Sequence, residues 1–212
     1  EFGSLDGIEY RTVDDPPEPS GTQVLVRVRA AGLNRADLLQ ARGLYPPPAG
    51  YSPNIPGLEF AGEVAAVGER VTDLDPGTHV FGITAGEAQA EYVLTEASLV
   101  ACVPNGMPFA EAACVPEAFI TAHDTIITLG GLGTHDNLLI HAVGSGVGLA
   151  ALQIAKAKSA FVVGTSRTGD KLERCRAFGL DAGIIVTDAS DFASRVMDAT
   201  HGHGADVILD LV

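Results

Sequence analysis

A glycine-rich octapeptide, His141-Ala-Val-Gly-Ser-Gly-Val-Gly148, joins a short apolar run, Leu138–Ala142, to an amphipathic helical pattern over Val147–Ala157. Glycines at 144, 146 and 148 permit a tight turn and let a phosphate approach backbone N–H groups, while the helix N-terminus that follows favours negative charge. A glycine-rich octapeptide says little by itself. Between a strand and a helix it has the context that a dinucleotide site requires. Gly144, Ser145, Gly146, Val147 and Gly148 are therefore the candidate pyrophosphate-binding residues, against the plain alternative of a structural turn.

The remaining C-terminal sequence keeps the same rhythm. Phe161–Thr165 reads as a strand, Asp170–Phe178 as a helix, Gly183–Val186 as a strand, Phe192–Ala199 as a helix and Val207–Val212 as a last strand. Such alternation predicts a parallel sheet with right-handed crossovers. At the end of its second strand, Val163-Gly-Thr-Ser-Arg167, an NAD-preferring site usually carries Asp or Glu for the ribose 2′-OH. Here stand Ser166 and Arg167, with Lys171 one helical turn on. Those groups suit a 2′-phosphate and favour NADPH; the alternative is an ordinary solvated basic face.

The charge distribution bears on the same point. The chain carries 13 basic and 27 acidic residues, a net charge of −14 that argues against a nucleic-acid footprint. No Lys or Arg occurs from Val71 to Ala155, yet Lys156–Arg176 contains 156, 158, 167, 171, 174 and 176. A local reversal in an acidic protein points to one anionic ligand. Three Cys without a CxxC pair fit a reducing compartment. The most apolar stretch, Leu138–Ala155, is broken by His141, Ser145, Gln153 and the loop glycines, so no membrane span or membrane partner is expected. With no signal peptide visible, the expected location is cytoplasmic.

Residues 1–118 have another texture. Gln23–Arg29 alternates with period two, and Leu58–Val67, Thr78–Ile83, Gln89–Leu94 and Leu99–Val103 are further strand candidates between Gly, Pro and Asp turns. One short helix is predicted, Asn34–Ala41, with Asn34 as its cap. Tyr45-Pro-Pro-Pro48 follows as a stiff extended loop. A helical pattern over 109–127, broken at Pro116, leads into the second half. The expected organisation is an α/β chain of two domains, a β-rich one over 1–118 and a partial doubly wound one over 119–212.

Read together, these segments resemble the zinc-independent quinone oxidoreductases of the medium-chain dehydrogenase/reductase superfamily, the zeta-crystallin-like branch. The matching stretches are Ala30-Ala-Gly-Leu-Asn-Arg-Ala-Asp37, Gly43-Leu-Tyr-Pro-Pro-Pro48, Pro56-Gly-Leu-Glu-Phe-Ala-Gly62, Pro116-Glu-Ala-Phe-Ile-Thr-Ala122 and His141–Gly148. The resemblance implies a GroES-like catalytic domain and a Rossmann domain that binds NADPH. Two departures stand out. Ser145 replaces the usual central glycine, and the chain stops after the fourth Rossmann strand where family members continue, so a C-terminally truncated domain is expected.

The resemblance also implies site residues. The positions matching the superfamily's catalytic zinc ligands are Asn34, Leu58 and Glu117; Leu58 cannot ligate and Asn34 is a poor zinc ligand, so no metal is expected. Without a Lewis acid a simple ketone is poorly polarised, whereas quinones and conjugated enones yield a delocalised oxyanion. Tyr45 is the implied hydrogen-bond donor to the acceptor, although it also suits a rim aromatic packed on Pro46–Pro48. Asn34 is implied to orient the nicotinamide ribose or the substrate, and Thr121 to flank the nicotinamide. The leading expectation is NADPH-dependent quinone reduction. Its rivals are reduction of an enone, alkenal or enoyl thioester, and a non-catalytic, crystallin-like role in binding NADPH. A small-molecule substrate and a homodimer are the implied partners.

Overall fold

The computed structural model describes residues 8–187 and 192–212. The chain divides into two compact units, Glu1–Glu117 and Ala118–Val212. Among the described residues no helix is long and apolar enough to cross a membrane.

In the first unit, β1 (Gln23–Ala31), β2 (Glu59–Val67), β3 (His79–Ile83), β4 (Tyr92–Glu96) and β5 (Val100–Cys102) form an antiparallel sheet in the order β4-β1-β2-β3-β5. Period-two alternation explains it. Val24 and Val26 are fully buried and pack with Phe60, Val64, Val80 and Val93, while Leu25 between them is half-buried and Arg27 after them is exposed. The fourth strand lies later than its sequence pattern predicts, at Tyr92–Glu96 instead of Gln89–Leu94. The N–H groups of Ala88 and Gln89 bond to the carbonyls of Gly57 and Pro56, which holds that stretch as a loop.

Helix α1 (Arg35–Ala41) begins after Asn34, whose extended backbone is that of an N-cap residue. Asp37, three residues on, accepts the Asn34 backbone N–H at 2.7 Å. The helical stretch after residue 108 splits at Pro116 into α2 (Phe109–Ala112) and α3 (Pro116–His123), followed by a wider π-type turn over Asp124–Leu129.

The second unit is a parallel sheet of β6 (Asn137–Ile140), β7 (Phe161–Ser166), β8 (Ala182–Ile185) and β9 (Val207–Leu209) in the order β8-β7-β6-β9. Both faces are covered. Leu138 and Ile140 pack with Ala151, Leu152 and Ala155 of α4 (Gly146–Ala157) and with Leu172 and Cys175 of α5 (Gly169–Arg176). Leu139 and Val163 pack on the other face with Val196 and Phe192 of α6 (Phe192–Ala199). This is a doubly wound arrangement, and the strand order reverses between β6 and β9.

In this unit three C-terminal boundaries shift by two residues or more. Strand β6 ends at Ile140, because Ala142 turns into the left-handed region (φ 52°) and starts the tight loop. Strand β9 covers Val207–Leu209 and stops short of Val212. Helix α5 ends at Arg176, before Phe178.

Candidate functional site

Each unit carries its own group of candidate residues. In the parallel-sheet unit the loop from Ala142 to Ser145 leaves the carboxyl end of β6, beside the point where the strand order reverses. Open α/β sheets bind ligands there. The His141 N–H donates to Leu209 O at 2.9 Å and the Val143 N–H to Thr165 O at 3.1 Å, so the loop is pinned to both neighbouring strand ends. Ser145, standing where glycine is usual, is the N-cap of α4: its Oγ accepts the Gly148 N–H at 3.1 Å. The N–H groups of Gly146 and Val147 lie in the first turn and have no intrahelical acceptor. They are left free to donate. The Val147 side chain packs against the core, so only its backbone is open to a ligand.

The glycines differ in what they permit. A Cβ on Gly146 would meet nothing within 4 Å, whereas one on Gly148 would lie 2.7 Å from Val143 O and 2.8 Å from Ala142 O. Gly146 thus opens onto free space, and Gly148 lets helix α4 lie tight against the loop. Gly148→Ala forces a methyl group into two backbone carbonyls that cannot swing aside. The expected loss is about 1–3 kcal/mol of stability. For a domain of this size that lowers the melting temperature by roughly 4–8 °C per kcal/mol, read by thermal circular dichroism. A melting temperature equal to wild type would refute the tight loop-to-helix packing.

The second strand end stands next to this loop. Ser166 is buried at the close of β7, and its Oγ accepts the Thr168 N–H at 3.3 Å, which leaves its own O–H free to donate. Arg167 and Lys171 are exposed, and neither enters an ion pair among the described residues. The stem of Lys171 lies against Gly144, 3.3 Å from where a Cβ would stand. The fold therefore brings Lys171 to the glycine loop. His141, which the sequence reading passed over as a ligand contact, bonds Thr165 Oγ1 through Nδ1 at 3.0 Å and meets the Phe192 ring edge-on at 5.0 Å. Thr121 is exposed on α3, its carbonyl accepting the Thr125 hydroxyl at 2.7 Å, and it lines a shallow groove with Phe119, Ile120 and Ile154.

In the antiparallel-sheet unit the central group is Glu59, 2% exposed on β2. Its Oε1 accepts the Asn34 Nδ2–H at 2.7 Å, and its Oε2 accepts the Glu117 backbone N–H at 2.9 Å. Asp37 is 6% exposed beside them, and its Oδ1 has no hydrogen-bond partner. Burial pushes the Asp37 carboxyl above its ordinary range, partly offset by the Asn34 N–H. Burial likewise raises Glu59 against its two hydrogen bonds, and raises Glu117 with help from the charges of Glu59 and Asp37. Tyr45 lies on the loop after α1, 48% exposed.

Glu59 and Asp37 were not singled out from sequence as site residues. The available signal was a Glu inside the apolar strand Leu58–Ala61, since a charge at a core position needs partners.

These residues do not fit a zinc ion. Leu58, 4% exposed in the core, has no donor atom; the Asn34 amide is engaged by Glu59; and no group of three or more His, Cys, Asp or Glu among the described residues is arranged to hold a metal.

Comparison with known proteins places this geometry. Residues 20–125 match the alcohol dehydrogenase GroES-like domain and residues 146–212 the family described as zinc-binding dehydrogenase. A polyketide synthase component of Streptomyces venezuelae, pikromycin synthase PikAII, is 41% identical over 196 residues, 92% of this chain and 5% of that protein. The CurK enoyl reductase structure aligns with a TM-score of 0.90 at 30% identity, over 100% of this chain and 65% of that one. A quinone oxidoreductase from Pseudomonas syringae pv. Tomato aligns with a TM-score of 0.86 at 30% identity, over 98% and 63%. This chain thus spans a small part of the curated synthase it matches and less than two thirds of the solved structures. A GroES-like antiparallel sheet and a doubly wound sheet with a glycine loop at its switch point occur here in one chain, and that chain belongs to the medium-chain dehydrogenase/reductase superfamily, whose nucleotide-binding fold implies NADH or NADPH.

Proposed function

We propose that this chain is the NADPH-dependent enoyl reductase part of its protein, acting on an α,β-unsaturated thioester. The observation that carries the reading is the likeness of this whole chain to 65% of an enoyl reductase structure, joined by the match to a polyketide synthase component. Those comparisons favour the enoyl acceptor over the quinone that the family resemblance puts first. The chemistry agrees. With Leu58 at the position of a metal donor, the substrate itself must delocalise the negative charge, and a conjugated thioester does so.

When bound, NADPH supplies hydride from nicotinamide C4 to the substrate β-carbon. The chain's own groups bind and orient. Gly146 and Val147 N–H would hold the pyrophosphate, and Arg167, Lys171 and Ser166 the 2′-phosphate; Asn34 would orient the nicotinamide ribose or the substrate, and Thr121 would flank the nicotinamide. The electron pair of the C=C bond moves onto the thioester, where the Tyr45 hydroxyl donates a hydrogen bond to the developing oxyanion. Water then protonates the α-carbon, which completes the saturated product.

The test is NADPH oxidation by the full-length protein with a crotonyl thioester, a quinone panel and an unconjugated ketone. Turnover is expected to be fastest on the thioester and absent on the ketone. Faster turnover on quinones would restore quinone reduction as the function. Tight NADPH binding with no turnover on any of the three would mean a non-catalytic nucleotide-binding role.

A further inference from the structure

The seat of Glu59 is built from three separated segments. Asn34 before α1 and Glu117 at the start of α3 each give one donor, one to each carboxylate oxygen. Gly32 makes the room, because a Cβ there would stand 2.1 Å from Glu59 Oε1 and 2.6 Å from Ala113 O. The neighbouring charged groups are Asp37 on α1 and Glu117 on α3, both acidic, and among the described residues no cation acts on the three carboxyls. Burying an ion without a countercharge costs stability even when its oxygens are hydrogen-bonded. Such a seat contributes little to folding and much to geometry. An ionised carboxylate can only accept, so it requires Asn34 to turn Nδ2 inward and Oδ1 away; a protonated one can donate and admits the opposite orientation.

We propose that Glu59 is a positioning residue whose ionised carboxylate fixes the amide orientation of Asn34, and that ligand binding through Asn34 is competent only in that state. The proposal rests on the reading of Asn34 as a contact to cofactor or substrate. Its sign with pH follows from the site. Burial first, and the charge of Asp37 next, raise the Glu59 carboxyl above the usual glutamate range, against the Glu117 N–H and the Asn34 amide. The competent form is therefore present above that raised value and is lost as pH falls through it.

Glu59→Gln tests this with an isostere. The Glu117 N–H still needs an oxygen, so the new Nε2 faces Asn34, which must turn its Oδ1 inward. The variant is expected to lose about ten- to a hundredfold in kcat/KM, and to lose the acid limb of the wild-type pH profile. Adding Asn34→Asp supplies an acceptor for that Nε2 and is expected to recover part of the loss, which a purely structural defect would not do. Asn34→Ala is measured in parallel, with NADPH Kd and kcat/KM as readouts. If Asn34→Ala changes neither, Asn34 is no ligand contact and the reading beneath the proposal falls. If Asn34→Ala is impaired while Glu59→Gln keeps wild-type kcat/KM and the acid limb, the positioning role is overturned. Should Glu59→Gln fail to fold, the profiles of wild type and Asn34→Ala decide: the acid limb is expected in wild type alone, and an identical limb in both would overturn the proposal.

Discussion

Gly146→Val is expected to weaken NADPH binding by two to four orders of magnitude while leaving the fold intact. The folded protein has room for the side chain, since a Cβ at Gly146 meets nothing within 4 Å, and the residue already sits in a helical first turn. Val is also a somewhat better helix residue than Gly, so no stability loss is expected. That free space is where a pyrophosphate would have to lie. N–H donors at Gly146 and Val147 reach a phosphate oxygen only at about 2.9 Å, whereas a valine methyl holds neighbours at roughly 3.5–4 Å. Two charge-assisted bonds at about 1.5–3 kcal/mol each are then lost, or about 3–6 kcal/mol together, roughly 10²- to 10⁴-fold in Kd. Isothermal titration with NADPH measures the affinity, and circular dichroism checks the fold. An unchanged Kd in a folded variant would remove this loop from the cofactor site.

Arg167→Ala is expected to weaken NADPH roughly ten- to a hundredfold and NADH hardly at all. A 2′-phosphate carries close to two negative charges at pH 7, and no acidic residue lies between Val163 and Gly169 to repel it. Arg167 and Lys171 are exposed with no ion-pair partner among the described residues, so their charges are available. Arg167 offers a planar pair of donors and Lys171 a point charge, and a charge-assisted bond is worth about 1.5–3 kcal/mol. Exposure puts the effect under salt control, so the difference between the two cofactors should narrow as ionic strength rises. Equal wild-type affinity for NADH and NADPH, or equal weakening of both by the mutation, would make the basic cluster a solvated surface.

The two halves of the chain were legible to different degrees. In the nucleotide-binding unit the signals are local: apolar runs of four to six residues, helical spacing and a glycine loop placed between them. Strand and helix positions follow to within a few residues. The misses across the chain have two causes, one local and one long-range. Strand β6 ends two residues early because Ala142 adopts a left-handed backbone that its residue type does not announce. Strand β4 starts late because Ala88 and Gln89 are held by Gly57 and Pro56, over 30 residues away in sequence, a pairing that no window on residues 89–94 can contain.

From its residues alone the chain determines an α/β fold in two parts, a glycine loop between strand and helix at 144–148, the missing acid at the end of β7, and, at Leu58, a side chain that cannot ligate a metal. All of these depend on which residues are present and on spacings of a few positions, so periodicity and side-chain chemistry suffice to read them. Only the tertiary structure decided that β9 pairs beyond β6, which puts the glycine loop at the reversal of strand order. Only it showed that Ser145 caps α4, that Lys171 lies against Gly144, and that Glu59 is enclosed by Gly32, Asn34 and Glu117. The partners of Glu59 stand 25 and 58 residues away along the chain. A hydrogen bond across such a separation exists only once the sheet and helices have brought the segments together, because its energy is fixed by distance and angle in space and leaves no period in the sequence.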